Sequence, residues 1–166
     1  MKTLTIAMIL TAALASGCAI AQTPPAAGLV TERSISLAAA MELATASLER
    51  CRANGFKVTV TVLNRHTHAL VVLSDDGVNP HTIENSFRKA YTAFTTRSST
   101  AEMAKRQQPA LASFMLLEHI SALEGGLPIW AANKELVGAI GISGAPGGDK
   151  DAACAQVGLD KIARML

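Results

Sequence analysis

Aromatic residues, cysteine and concentrated charge are all scarce in this chain. Among its 166 residues there are one Trp, one Tyr, four Phe and three Cys. With so few rings and so much Ala and Val, the interior is expected to be small aliphatic side chains packed closely. Charge is almost balanced, at 15 Lys and Arg against 13 Asp and Glu, and no basic run occurs. A nucleic-acid partner needs a clustered basic face and is not expected. Internal repeats and low-complexity tracts are also lacking, apart from small-residue loops.

What is present begins with an address. Lys2 is followed by an apolar stretch from Leu4 to Leu14 and then by small residues. Such a segment is too short and wrongly flanked to span a membrane, and residues 1–21 read as a secretory signal. Ala19-Ile20-Ala21 offers a cleavage site that leaves Gln22 first. Ala15-Ser16-Gly17-Cys18 also resembles a lipobox, which would make Cys18 a lipid anchor, but Ala15 stands where the best lipoboxes carry Leu. That favours simple cleavage. Either exit sends the chain to the periplasm or beyond, with no transmembrane segment after signal removal. Residues 22–35, opening Gln22-Thr23-Pro24-Pro25, read as an N-terminal arm, and 36–166 suit one domain with a single core.

Along that domain the hydrophobic period switches between helix and strand. Leu37, Met41, Ala44, Leu48 and Cys51 recur at helical spacing, with Ser36 as N-cap and Asn54-Gly55 as the stop. Val58, Val60 and Val62 alternate with Thr59 and Thr61 as a strand. A turn from Asn64 to His68 leads to a second strand, Leu70 to Leu73, closed by Asp75-Asp76-Gly77. Asn79-Pro80 opens a helix running to Phe94, with Ile83, Phe87, Ala90, Tyr91 and Phe94 on one face. Glu84 and Arg88 stand at i, i+4 on another. Ser99 and Glu102 form a capping-box pattern for a short helix ending before Pro109. Ala110 to Ala122 fits helix or strand. Leu127–Trp130 and Leu136–Ile142 read as a hairpin turning near Asn133-Lys134, and Asp149 starts a last helix with Leu159 and Ile162 turned inward. This order predicts an α/β (α+β) fold with a mainly antiparallel sheet and helices packed on it.

The stretch richest in chemistry is the last strand and its exit, Gly141-Ile142-Ser143-Gly144-Ala145-Pro146-Gly147-Gly148, followed by Asp149 and Asp151 in a first helical turn. Glycines allow backbone angles and close approaches that side chains forbid, so this is a candidate ligand-facing edge. Its Gly-x-Ser-x-Ala falls one residue short of a nucleophile elbow, and all four histidines precede Ser143 where that motif needs one after. No Gly-Lys-Ser/Thr ending occurs, and two Asp already hold the positive helix end, which argues against a phosphate loop. His66-Thr67-His68 offers two imidazoles on one side of an extended segment, but a zinc site wants three or four ligands. Neither His81, His119 nor a carboxylate supplies a third at diagnostic spacing, so this reads as an exposed polar turn. No Cys-x-x-Cys-His occurs, so any haem would be non-covalent. His81, in the first turn of the Asn79–Phe94 helix with Lys89 and Tyr91 two and three turns along, could ligate haem iron while a cation pairs with propionates. His119, beside Glu118 in the ambiguous segment, carries less weight.

Taken together, these blocks resemble the GlcG/HbpS-like haem-binding family. The resemblance rests on Val58 to Arg65, Asp76-Gly77, His81 to Glu84, Lys89 to Ala93, Gly125 to Ile129, Val137 to Gly144, Gly147-Gly148 and the Asp151/Cys154/Ala155 pattern, in the family's order over about residues 36 to 165. It implies a profilin-like layer with a sheet of about five strands, homo-oligomeric assembly, and binding of haem or a related tetrapyrrole. The same fold is fused to corrinoid adenosyltransferases in PduO-like proteins and accompanies glycolate oxidation in GlcG. His81, Lys89, Tyr91, Gly125, Gly126, Gly147 and Gly148 are the expected cofactor-binding residues, with His81 on the iron as a reading from chemistry. Two positions depart from the family, Asn64 where Asp is usual and Thr67 where Gly is usual.

The profilin-like arrangement would also pack the first and last helices antiparallel on one face and bring Cys51 to Cys154. Two separately buried thiols are the alternative. Three functions follow: an exported haem-binding protein for storage, sensing or buffering; an accessory enzyme for a small organic acid or carbonyl compound, using Asp151 or Lys89; and an oligomeric scaffold. Binding is favoured over catalysis, because no catalytic constellation stands out.

Overall fold

Alternation of Val60 and Val62 with Thr59 and Thr61 gives a strand with two chemically different faces, and the rest of the molecule sorts itself onto them. The computed structural model describes residues 28–106 and 109–166. The expected signal segment with Cys18, and residues 22–27 of the arm, lie outside the described residues. Every element below belongs to residues 32–166.

Helix α1 (Leu37–Ala53) starts where Ser36 accepts a hydrogen bond from the Ala39 N–H at 3.2 Å. Strands β1 (Thr59–Asn64) and β2 (Ala69–Ser74) form the first hairpin. Helix α2 (His81–Thr96) follows, with Pro80 as its N-cap. Helix α3 (Thr100–Lys105) has the full capping box of Ser99 and Glu102. The segment that fitted either helix or strand opens as the short helix α4 (Pro109–Phe114) and continues in turns. Strands β3 (Gly126–Trp130) and β4 (Leu136–Ser143) make the second hairpin, and α5 (Gly148–Ile162) ends the fold with one 3-10 turn.

The sheet has four strands in the order β2-β1-β4-β3, all antiparallel. The expectation of about five is thus corrected: the segment between α3 and β3 adds no strand. Central strands β1 and β4 are buried on both sides, because α1 and α5 cover one face and α2 the other. Pro128, which has no N–H for a ladder, sits on the edge strand β3. The described end of the arm is not loose. The Ile35 N–H donates to the Val137 carbonyl at 3.0 Å, and Arg33 pairs with Glu135 at 2.9 Å.

On the α1/α5 face, Val60, Val62, Ile140 and Ile142 pack with Leu43, Ala44, Leu48, Ala155 and Ile162. Each large aliphatic side chain buried here contributes about 1.5–3 kcal/mol. Cys51 of α1 and Cys154 of α5 lie in this core and form a disulfide, with 5.6 Å between their Cα atoms. The α2 face is built differently. Its cross-strand pairs are Thr59 with Ser143, Thr61 with Gly141 and Leu63 with Ala139. These residues are small, so α2 sits close: a Cβ on Gly141 would strike the Ser86 carbonyl, and one on Gly126 the Lys89 carbonyl.

The buried side of α2 is Thr82, Ser86, Lys89, Ala90, Thr92 and Ala93. This corrects the expected face, since Ile83 is exposed and Phe87, Tyr91 and Phe94 are only half-buried. Hydroxyls replace methyls between helix and sheet. Thr82 bonds Thr59 at 2.8 Å and Ser86 bonds Thr61 at 2.8 Å. Buried polar groups are tolerable only when paired like this.

Two outcomes are expected. Unreduced, denatured mature protein, which lacks Cys18, should titrate with almost no free thiol, and Cys51→Ala/Cys154→Ala should lose about 2–4 kcal/mol in urea unfolding, since the bridge closes a 103-residue separation. Two free thiols per chain would refute the bridge. Gly141→Ala should cost about 1–3 kcal/mol by forcing α2 off the sheet, and an unchanged unfolding midpoint would show that the approach relaxes freely.

Candidate functional site

Where α2 begins, the β4–α5 loop turns over it, and the two enclose an open cavity of about 390 Å³. Its walls include Asn79, His81, Asn85, Glu124, Ser143 and Gly148, with Lys89 and Asp151 at the bottom. Leu123 is the one large apolar side chain in the wall. The lining therefore favours a small polar molecule.

The buried centre is Lys89, whose side chain is only 3% exposed, as is that of Asp151. Its ammonium donates to Asp151 Oδ2 at 2.8 Å and to the Ile142 carbonyl at 2.8 Å. The other carboxylate oxygen of Asp151 accepts the Ala145 N–H at 3.0 Å. One ion pair thus ties α2, β4, the following loop and α5 together. Burial pushes the Asp151 carboxyl above its ordinary range, against the pull of the Lys89 ammonium and the two hydrogen bonds. An ammonium has three donors, and the third N–H of Lys89 has no protein acceptor among the described residues.

The glycines hold this geometry. Gly125 has φ +124°, and a Cβ there would come within 2.7 Å of the Ile142 carbonyl, 2.8 Å of Asp151 Cβ and 2.9 Å of Lys89 Nζ. Gly147, with φ +140°, caps α5, while Gly148 faces the Glu124 carbonyl at a distance that leaves a Cβ no room. The structure therefore brings His81, Lys89 and Gly148 to one cavity, with Gly125 behind Lys89 and Asp151 and with Gly126 and Gly147 nearby. Tyr91 is elsewhere. Its ring stacks with Phe87 at 6.1 Å and meets His119 edge-on at 5.5 Å, on the outer flank of α2.

Several site residues were not signalled by any motif. Asn85 donates to the Ser143 hydroxyl at 2.9 Å and accepts from Ser121 at 3.3 Å. Ser143 Oγ thus accepts an amide N–H. Their only sequence trace was the polar run in α2 at helical spacing. His66 and His68 lie in an exposed turn as expected, and no group of three or more His, Cys, Asp or Glu able to hold a metal occurs among the described residues. In that turn Asn64 Oδ1 accepts from the His66 and His68 N–H groups, which a carboxylate could also do, and Thr67 takes φ +61°, the conformation that favours glycine.

Removing one partner of the buried pair should be costly. Lys89→Met, which strands Asp151, should lose about 3–5 kcal/mol, and Lys89→Met/Asp151→Leu should recover much of it. Equilibrium urea unfolding checks this, and additive losses would mean that the two groups are not coupled.

Three comparisons bear on this site. Residues 35–160 match the family model described as haem degrading protein HbpS-like. No curated protein matches the chain. Among solved structures, a doubly substituted HbpS from Streptomyces reticuli is 32% identical with a TM-score of 0.77, covering 90% of this chain and 99% of that one. The Klebsiella pneumoniae protein ORFY is 27% identical with a TM-score of 0.75, covering 81% and 94%. PduOC, solved as a complex with heme, is 26% identical with a TM-score of 0.72, covering 78% and 95%.

Proposed function

This chain belongs to the HbpS-like family, and on that premise we propose that it binds haem or a related tetrapyrrole non-covalently, as an exported store, sensor or buffer. The family match over residues 35–160 carries the reading, and the heme complex of PduOC supports it. The donor set fits such a group, since an imidazole stands on each flank of α2: His81 at the cavity mouth and His119 against aromatic rings. From sequence chemistry alone, the expected iron ligand is His81. The cavity beneath it is polar, however, and a macrocycle needs apolar contact.

Export is supported by the signal-like start of the chain and by a disulfide of the kind that persists in oxidising compartments. No described helix is long and apolar enough to cross a membrane. Homo-oligomeric assembly is proposed as well, because Ile83, Leu116, Leu117 and Leu123 are each more than half exposed.

A second reading is favoured by one observation, the Lys89–Asp151 pair at the bottom of a polar cavity. Such a site suits a small organic acid or carbonyl compound. Turnover of a 2-hydroxy or 2-oxo acid by tetrapyrrole-free protein would favour it.

Haem titration of the mature chain, followed by visible absorption and size exclusion, should give a saturable Soret band on a defined oligomer. A spectrum that grows without saturation, like that of free haem, would remove the leading function.

A further inference from the structure

Of the α2 flanks, the outer one has the features that the cavity lacks. Phe87 and Tyr91 stack at 6.1 Å, and Phe94, one turn beyond Tyr91, packs on the same small cluster of Leu63, Ala90, Ala93 and Ala139. All three rings are only half-buried, although the chain has just six aromatic residues. His119 completes the group, with its ring centroid 5.3 Å from Phe87 and 5.5 Å from Tyr91, both edge-on. Its place is set by Ser121, whose N–H donates to Thr92 Oγ1 at 2.9 Å and whose hydroxyl donates to Asn85 at 3.3 Å. His119 itself takes φ +66°, an uncommon conformation for a residue with a side chain. Glu118 lies 3.6 Å from its Nε2, and its Nδ1 makes no hydrogen bond among the described residues.

Past Phe94 the helix ends at Arg97, also left-handed at φ +54°. Arg97 is exposed and has no carboxylate within salt-bridge distance among the described residues. It lines a second open cavity, of about 400 Å³, together with Phe94, Thr95, Leu136, Arg65 and His66. Arg65 there is already matched by Glu32 at 3.1 Å and Glu135 at 3.3 Å, which leaves Arg97 as the free guanidinium.

Accepting the haem-binding reading above, we infer that the tetrapyrrole lies on this outer flank of α2, with His119 and not His81 as the axial ligand. The order along the flank is imidazole, stacked rings, guanidinium. Haem has matching parts: an iron that takes an imidazole, an apolar macrocycle, and carboxylates that pair with a cation. The His81 cavity offers one leucine and no aromatic ring for the same ligand. Leu116 and Leu117, 86% and 57% exposed just before His119, extend the apolar area.

The test is haem titration of the full chain and its variants, read by Soret position and affinity. His119→Gly is the informative change, because glycine accepts the backbone angle and should leave the fold intact. It should shift the Soret band and weaken binding about tenfold or more, equivalent to about 1.4 kcal/mol. Millimolar imidazole should restore the wild-type spectrum. Tyr91→Ala and Arg97→Ala should weaken binding without abolishing the axial signature, and His81→Ala should match wild type. Saturable binding with an unchanged His119→Gly spectrum, or loss in His81→Ala instead, overturns this placement but leaves the haem reading standing. No saturable binding by wild type overturns both.

Discussion

A lysine ammonium almost wholly withdrawn from water has to be met by protein atoms, and the layout around it follows from that requirement. Lys89 is held by the Ile142 carbonyl and by Asp151. These groups come from three different elements, so α2, β4 and α5 can be neither shifted nor rotated independently. An uncompensated charge in such a place costs several kcal/mol, more than any single contact nearby returns. The glycines belong to the same constraint. Gly125 and Gly126 leave room for the Lys89 side chain and backbone, and Gly141 admits the turn of α2 that precedes it. Polar burial and close approach come together here, since the helix can hydrogen-bond the sheet through Thr82 and Ser86 only by lying close to it.

This arrangement divides α2 into surfaces with different chemistry. The buried side carries the hydroxyls of Thr82, Ser86 and Thr92 and the Lys89 ammonium beside Ala90 and Ala93. The flank toward the β4–α5 loop opens on a small polar cavity, and the opposite flank carries the half-buried rings of Phe87, Tyr91 and Phe94. The division of the helix bears on where each part of a ligand can rest. The far face of the sheet takes no part in this. There α1 and α5 are joined through a dry aliphatic core and by Cys51–Cys154, which fixes the platform behind the site.

Two departures from the family pattern in the first hairpin show how local geometry tolerates changed residues. Asn64 supplies the acceptor oxygen that the turn needs, which a carboxylate would also supply. Thr67 accepts the left-handed angle usually left to glycine, at a local cost of roughly 1–2 kcal/mol. The turn survives because two backbone N–H groups remain satisfied.

The sequence by itself determined the local structure. Ser36 and the Ser99/Glu102 pair cap their helices, the valine–threonine alternation makes β1, and Asn133-Lys134 turns the second hairpin. Each is legible because its cause lies within a few residues. The family blocks were legible too, and the resemblance they carry suggested the Cys51–Cys154 pairing, while separate thiols stayed open until the two helices were seen to pack together. Which side of α2 faces inward was decided only by the tertiary structure. Helical spacing shows that Ile83, Phe87 and Tyr91 share a face, yet the facing sheet presents Thr59, Thr61 and Gly141, so hydroxyls and a lysine go in and the rings stay out. The partner of Lys89 lies 62 residues away, and His119 reaches Phe87 and Tyr91 through a loop without regular structure. No period or motif encodes such meetings. They depend on where separate elements come to rest, and burial of charge and the space left by glycine set that position.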